Sequence, residues 1–314
     1  WRLPEDVFHG WLQADPGLER GLVWNDVSES LDAVEKRLGI APTPPETAGP
    51  RNLLMGRGAD ALGLENRPIR RNVMDCTGSG HCLEGCRTGA KRSMDITYIA
   101  DAETHGADIY SSVEAQAVVV SGGAARAVEA VSRSGHRVHL RAGHAVVLAA
   151  SAVQTPALLL KSGIRHGPVG RHFQCHPGVS VSGRFSEPVH DWHGATQGHE
   201  VTGLRHEGLK FETLAMDISV LGMRMPGAGT AFLSHLQEAR HRLDWGAAVK
   251  STAHGRVRLW RGSPVVTWRP SRRDVLLFRR GTEVLGKLFF GAGVSSIHLN
   301  VHGWERPVSD PEDL

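Results

Sequence analysis

The chain has 314 residues, 40% of them hydrophobic and 22% charged, with a formal net charge of +3. This is a globular composition, long enough for one large core or two modest domains, and it excludes a disordered chain; no apolar run approaches the roughly 20 residues of a bilayer span, so no transmembrane segment is expected. The arginine pairs Arg70-Arg71, Arg272-Arg273 and Arg279-Arg280 are scattered and form no stripe, so no nucleic-acid partner is expected.

Asn25-Asp26 opens a helix in which Val27, Leu31, Val34 and Leu38 recur at helical spacing, and Gly39 closes it. Residues 41–50 are proline-rich and read as a rigid, extended linker. A short helix is expected over 52–64, carrying Leu53, Leu54, Leu62 and Leu64, so that 1–66 reads as a helical lid or connector. A cysteine-bearing loop covers 75–91, followed by a helix over 94–104 that ends near Gly106. Residues 109–113, 117–120, 127–132 and 137–141 are rich in strand formers and separated by turns such as Gly122-Gly123 and Ser134-Gly135, which predicts a small antiparallel sheet.

Val146 to Ala149 form a short apolar run of the kind that fills a sheet covered on both faces, and Ala149, Ala150 and Ser151 leave the backbone nearly bare where that strand ends. Thr155 has the chemistry of an N-cap, Pro156 that of a first helical residue, and Ser162-Gly163 supplies the stop. Two readings fit this step: a strand end on which a flat cofactor rests, and an ordinary strand-to-helix turn using alanine for close packing.

Beyond Pro177 the pattern changes to strands with polar alternation over 179–185, 209–214, 247–252, 257–260 and 265–268, an antiparallel region. Gly262-Ser263 reads as a two-residue hairpin turn of type II′. Ser271-x-x-Asp274 then opens a long helix with Val275, Leu276, Val284, Leu285 and Leu288 on its buried side and Gly291 or Gly293 at its end.

Three of the four cysteines fall in the pattern Cys76-x5-Cys82-x3-Cys86. They read either as reduced, partly buried loop thiols or as thiolate ligands of an iron–sulfur cluster. A four-iron ferredoxin spacing wants another cysteine where Ser79 stands, and the C-x2-C pairs of structural zinc sites are missing. His176-Pro177 reads as a turn, and His298 and His302 are the histidines nearest the expected substrate region. No Gly-x-Ser-x-Gly elbow or His-Glu-x-x-His helix supports hydrolysis.

Ser151-Ala152-x-x-Thr155-Pro156-x-Leu158-Leu159-x-x-Ser162-Gly163-Ile164 resembles the second signature of the glucose-methanol-choline (GMC) flavin oxidoreductases, with Arg165 where that pattern usually continues with Gly. Gly167-Pro-Val-Gly-Arg-His-Phe-Gln-Cys-His-Pro177 is similar to the continuation, and the likeness extends back through Gly89-Ala-Lys-Arg-Ser93 to Gly106-Ala-Asp-Ile109. The resemblance implies an α+β or α/β fold: part of a Rossmann-like FAD-binding domain with a small antiparallel sheet, and an antiparallel substrate domain flanked by helices. It divides the chain into a connector (1–66), part of the FAD domain with the cysteine loop (67–177), a substrate domain (178–296) and the start of a return to the FAD domain (297–314).

It further implies FAD as cofactor, held by the backbone of Ala115 at the adenine and by Ala149, Ala150 and Ser151 along the strand end. The implied reaction passes hydride to the flavin from the CH–OH group of a small-molecule alcohol or sterol-like substrate, with an electron acceptor the residues do not name. Trp1-Arg-Leu-Pro4 looks like the tail of the family's first signature, so an internal fragment is expected, without the Gly-x-Gly-x-x-Gly turn and the catalytic histidine and with no tight FAD binding of its own. Two alternatives stand beside this: an iron–sulfur flavin dehydrogenase subunit of the sugar or polyol type, which would use Cys76, Cys82 and Cys86, and a non-catalytic remnant of the fold. Without a signal peptide or lipidation motif, a cytoplasmic location is expected.

Overall fold

The first long helix runs Trp24–Leu38 in the computed structural model of the chain, which describes residues 2–190, 192–215, 228–304 and 306–314. Trp1 of the signature-like tail therefore lies outside the described residues. Val27, Leu31 and Val34 are half-buried and Leu38 is buried, and Gly39 ends the helix in the left-handed conformation, its N–H on the Lys36 carbonyl at 3.3 Å.

Residues 41–50 are not the extended linker their prolines predict. Ile40–Pro42 pairs antiparallel with Arg70–Asn72, and Pro45–Ala48 forms one helical turn. The proline ending this strand is tolerated because a two-stranded ribbon leaves one side of each strand unpaired. The next helix, Pro50–Ala61, also departs from expectation: Leu53 is 55% exposed and Leu62 lies beyond the helix, while Arg51, Asn52, Met55, Gly56, Gly58 and Ala59 form the buried face. Close approach of backbones decides this, since a Cβ on Gly58 would fall 2.2 Å from the Leu288 carbonyl oxygen.

Asn52, fully buried, uses its whole amide. Its Nδ2 donates to the carbonyls of Ala48 (2.5 Å) and Ala195 (2.9 Å), and its Oδ1 accepts from Gly198 N–H (2.8 Å) and the Thr213 hydroxyl (2.6 Å). One side chain thus joins a helix, a loop and a strand separated by up to 161 residues in sequence.

Two compact units emerge, each discontinuous: residues 1–102, 178–249 and 278–314 form one, and 103–177 with 250–277 form the other. The break after Pro177 falls where the linear division has it, whereas neither 66 nor 296 is a boundary: 1–102 is one segment, 250–277 groups with 103–177, and 278–314 returns to the first unit. Every strand pairing among the described residues is antiparallel.

The first unit is built on a six-stranded sheet in the order Ser296–His298, Gly178–Arg184, Arg242–Val249, Leu209–Leu214, His199–Val201, Asn66–Pro68. The strand expected over 247–252 is Arg242–Val249, paired along its length with Gly178–Arg184. One sheet face is closed by the helix Arg272–Gly291, whose Val284, Leu285, Leu288 and Phe289 are buried. Phe289 stacks on Trp245 at 3.8 Å and 7°, over Gly183, where a Cβ would lie 2.4 Å from the Phe289 ring. Val275 and Leu276, expected on the buried side, are exposed: they occupy the first turn, ahead of Gly281, where the helix meets Ala247 and Val179 of the sheet.

The second unit contains two three-stranded sheets and the helix Ser151–Lys161, which packs against both through buried Ala157 and Leu158. One sheet is the expected meander, Val113–Ser121, Ala124–Ser132 and Arg137–Arg141, with Gly122 and Gly123 at φ of 59° and 74° in its two-residue turn. The two strands expected over 109–113 and 117–120 are one, which starts only at Val113, and Ile109 and Tyr110 stand exposed. The other sheet orders Ser263–Thr267, Gly255–Trp260 and Arg171–Phe173. Its hairpin pairs Trp260 with Ser263, so the turn residues are Arg261 and Gly262 at φ of 50° and 79°, a type I′ turn one residue earlier than the predicted II′.

Ser271 and Asp274 form the expected cap, exchanging bonds of 2.7 and 3.1 Å. Burial pushes the Asp274 carboxyl up, but donors from Ser271, Thr252 and Ser251 outweigh it and hold the group below the ordinary aspartate range.

Residues 146–149 are not in a strand. A strand needs a ladder partner, and the described strands of this unit pair elsewhere, so Val147 is left 86% exposed.

Asn52→Ala leaves Gly198 N–H and the Thr213 hydroxyl without their buried acceptor and is expected to cost roughly 2–4 kcal/mol in guanidinium unfolding. Leu53→Ala, on the exposed side of the same helix, is expected to change stability by less than about 0.5 kcal/mol. Equal midpoints for the two variants would contradict the role given to Asn52.

Candidate functional site

The helix Ser151–Lys161 begins four residues ahead of its predicted cap. Thr155 lies inside it, and its hydroxyl reaches back to accept the Ala150 N–H at 2.9 Å, while the Ser151 hydroxyl receives the N–H groups of Val153 and Gln154 at 3.4 Å. Pro156 is tolerated in the interior at the loss of one backbone hydrogen bond. The stop is as predicted. Gly163 N–H bonds Leu160 O at 3.2 Å and Ile164 N–H bonds Leu159 O at 2.9 Å, a Schellman pair with Gly163 at φ 76°.

Ala149, Ala150 and Ser151 are all exposed, so the approach to this helix end is lined by two methyl groups and a hydroxyl. Ser151 holds φ at 78°, a conformation a non-glycine residue adopts only under local constraint and one that clusters at ligand-contacting positions. Ala115, also exposed, sits beside a bulge on Val113–Ser121. That strand is at the sheet edge and offers backbone groups on its free side; one of them, Val118 N–H, is taken by the Ser162 hydroxyl at 2.8 Å. The four predicted cofactor residues thus lie in one unit, Ala115 on a strand and the other three at the head of a helix that packs against it.

Sequence reading did not find the polar row on the first unit's sheet. Asp244, Ser182 and His298 are register partners across three adjacent strands, on the face opposite Trp245, Val181 and Ile297. The Ser182 hydroxyl donates to the Asp244 carboxylate. Asn300, at φ 54°, donates from Nδ2 to Ser182 (3.1 Å) and Ser180 (3.3 Å). The alternation Val179-Ser-Val-Ser182 carried the face assignment, but the partners lie 62 and 118 residues away. His176 and His302 are exposed.

Cys76, Cys82 and Cys86 are half-buried free thiols, and among the described residues no group of three His, Cys, Asp or Glu side chains is placed to hold a metal. Two of the sulfurs turn into their own loop: Cys76 Sγ accepts Gly78 N–H at 3.4 Å, and Cys86 Sγ accepts Lys91 N–H at 3.4 Å and lies 3.5 Å from the Thr88 hydroxyl. Lys91 Nζ bonds the Cys82 carbonyl at 3.0 Å, and His81 pairs with Glu84 at 2.9 Å. The Thr88 hydroxyl and the Lys91 N–H hold the Cys86 thiol below the ordinary cysteine range.

Cys86 is therefore expected to be alkylated by iodoacetamide with a pH midpoint below that of an ordinary thiol, about 8.5. Thr88→Val is expected to raise that midpoint. Peptide mapping of the alkylated sites across pH checks this, and an unchanged midpoint in the variant would remove the assigned cause.

Residues 1–178 match the family described as GMC oxidoreductase. An uncharacterized GMC-type oxidoreductase of Mycobacterium tuberculosis is 30% identical over 290 residues, covering 92% of this chain and 46% of that protein. A long-chain-alcohol oxidase of Arabidopsis thaliana is 26% identical over 218 residues, covering 65% and 29%. Among solved structures, a formate oxidase of Aspergillus oryzae studied for its FAD modification superposes with a TM-score of 0.60 at 15% identity, over 87% of this chain and 59% of that one, a likeness of fold. The chain spans about half the length of the bacterial relatives it matches.

Proposed function

The chain belongs to the GMC oxidoreductase family, whose coenzyme is FAD, and from that premise we propose that it supplies FAD-contacting and alcohol-contacting surfaces of an enzyme oxidising a CH–OH group. The observation that carries this reading is the exposed Ala149-Ala150-Ser151 step at the head of the helix whose sequence bears the family signature. The likeness to long-chain-alcohol oxidases supports an alcohol as substrate.

When bound, FAD supplies the acceptor for hydride from the carbinol carbon. The chain's own residues bind and orient. The alanine methyls of 149 and 150 leave room for a flat group against the backbone, and larger side chains there would fill it. The free edge of Val113–Ser121 at Ala115 offers main-chain hydrogen bonds to a base, a contact that needs no particular side chain. On the first unit, the Asp244 carboxylate, held by the Ser182 hydroxyl that Asn300 in turn orients, presents an acceptor to a substrate hydroxyl. No residue among those described is assigned as the catalytic base.

Titration of the chain with FAD, followed by flavin fluorescence, is expected to show weak, saturable binding, and Ala150→Trp is expected to abolish it while leaving the fold intact by circular dichroism. Unchanged affinity in Ala150→Trp would sink the cofactor assignment. In the enzyme carrying this chain, Ser182→Ala and Asp244→Asn are each expected to raise KM for the alcohol by about 5- to 50-fold with a smaller effect on kcat, as loss of one or two substrate hydrogen bonds requires. Steady-state kinetics checks this; wild-type KM in both variants would exclude the polar row from substrate binding.

A further inference from the structure

Arg165, Arg171, Arg256 and Arg258 line one cavity of about 340 Å³ in the second unit, with Leu160 and Val169 among the other lining residues. The chain builds this arrangement in two ways. Arg256 and Arg258 alternate with buried Val257 on Gly255–Trp260, which sets both guanidinium groups on the exposed face. Gly170, buried at φ 70°, then brings the loop after the signature helix against that strand: its carbonyl accepts Val257 N–H at 2.9 Å, and a Cβ there would lie 2.4 Å from the Val257 carbonyl oxygen.

The result is electrostatically unfavourable by itself. Arg171 is the register partner of Arg256, and like charges directly opposite in a ladder are destabilising. Among the described residues no ion pair offsets the charge of any of the four. The fourth arginine, Arg165, is the departure from the signature pattern noted in the sequence. Four arginines among the nine residues lining one cavity make a site complementary to a multi-oxygen anion, since guanidinium groups bind phosphate in bidentate fashion.

We propose that this cavity is a binding site for a phosphate-class oxyanion, a phosphate or diphosphate group. The site is built from residues of the second unit alone and does not depend on the proposed reaction. The diphosphate could be free or part of a larger molecule such as the coenzyme, and competition separates the two.

The test is calorimetric titration of the chain with inorganic pyrophosphate in low-salt buffer, together with thermal unfolding. The wild-type chain is expected to bind saturably, to gain in melting temperature, and to lose affinity as salt is raised. Arg258→Gln, at an exposed strand position, is expected to weaken binding at least about tenfold, the loss of one charge-assisted contact. Arg171→Gln combined with Arg256→Gln is expected to abolish binding and to melt no lower than wild type without ligand, because the opposed charges are gone. Arg137→Gln with Arg141→Gln, on the other sheet of the same unit, is expected to bind as wild type does. Displacement of pyrophosphate by FAD would identify the coenzyme's diphosphate as the occupant, and independent binding would identify a separate ligand. Absence of binding, or equal loss in the control pair, would overturn the proposal.

Discussion

The helix 272–291 lies closer to its neighbours than side chains on both sides would permit, and the first unit is organised around that approach. Gly58 meets the Leu288 carbonyl and Gly183 lies beneath the ring of Phe289, each at a distance that excludes a Cβ. With the helix seated there, one face of the six-stranded sheet is filled by Trp245, Phe289, Leu285 and Leu288. Because side chains alternate along a strand, closing that face commits every second residue to the opposite one. Ser180, Ser182, Asp244 and His298 are the residues so committed, and Asn300 at the end of the last strand completes the row. The polar surface proposed for substrate is thus a consequence of how the apolar one is packed.

The second unit works by a different economy. Its helix 151–161 is held at the far end by Ser162, whose hydroxyl accepts Val118 N–H and donates to Leu158 O, so the helix is fixed to the meander where it ends and is open where it begins. At the open end Ala149, Ala150, Ser151 and Ala152 are small and exposed, and the unusual backbone at Ser151 is held by short-range bonds to its own first turn. A flat coenzyme needs such a place, with low relief, exposed main chain and rigid support behind it. The same unit carries the arginine cavity, so that small side chains and concentrated positive charge occur on one scaffold of two sheets and a helix.

Much of this was legible in the sequence. Capping chemistry located the ends of helices 24–38, 151–161 and 272–291 to within a few residues, because Gly39, Gly163 and the Ser271–Asp274 pair act through neighbours in the chain. The family signature and the meander were readable for the same reason. What sequence reading missed depends on distant partners. Val146 to Ala149 has the composition of a buried strand but no ladder to join. The leucines of helix 50–61 suggested its buried face, yet glycines and Asn52 decide it, since backbone contact with Leu288 and the four bonds of one amide outweigh the gain from burying Leu53. The hairpin at Arg261-Gly262 differed by one residue because register is fixed by cross-strand pairing and not by the glycine alone. The row Asp244, Ser182, His298 required the pairing of three strands to be known.

Central to this account is that the coenzyme rests on the alanine-lined head of helix 151–161 and along the free edge at Ala115. Hydrogen–deuterium exchange of the chain, with and without saturating FAD, tests it directly. Slowed exchange confined to amides of 149–154 and to those around 115 is the predicted result. Protection elsewhere, with these amides unaffected at saturation, would contradict it.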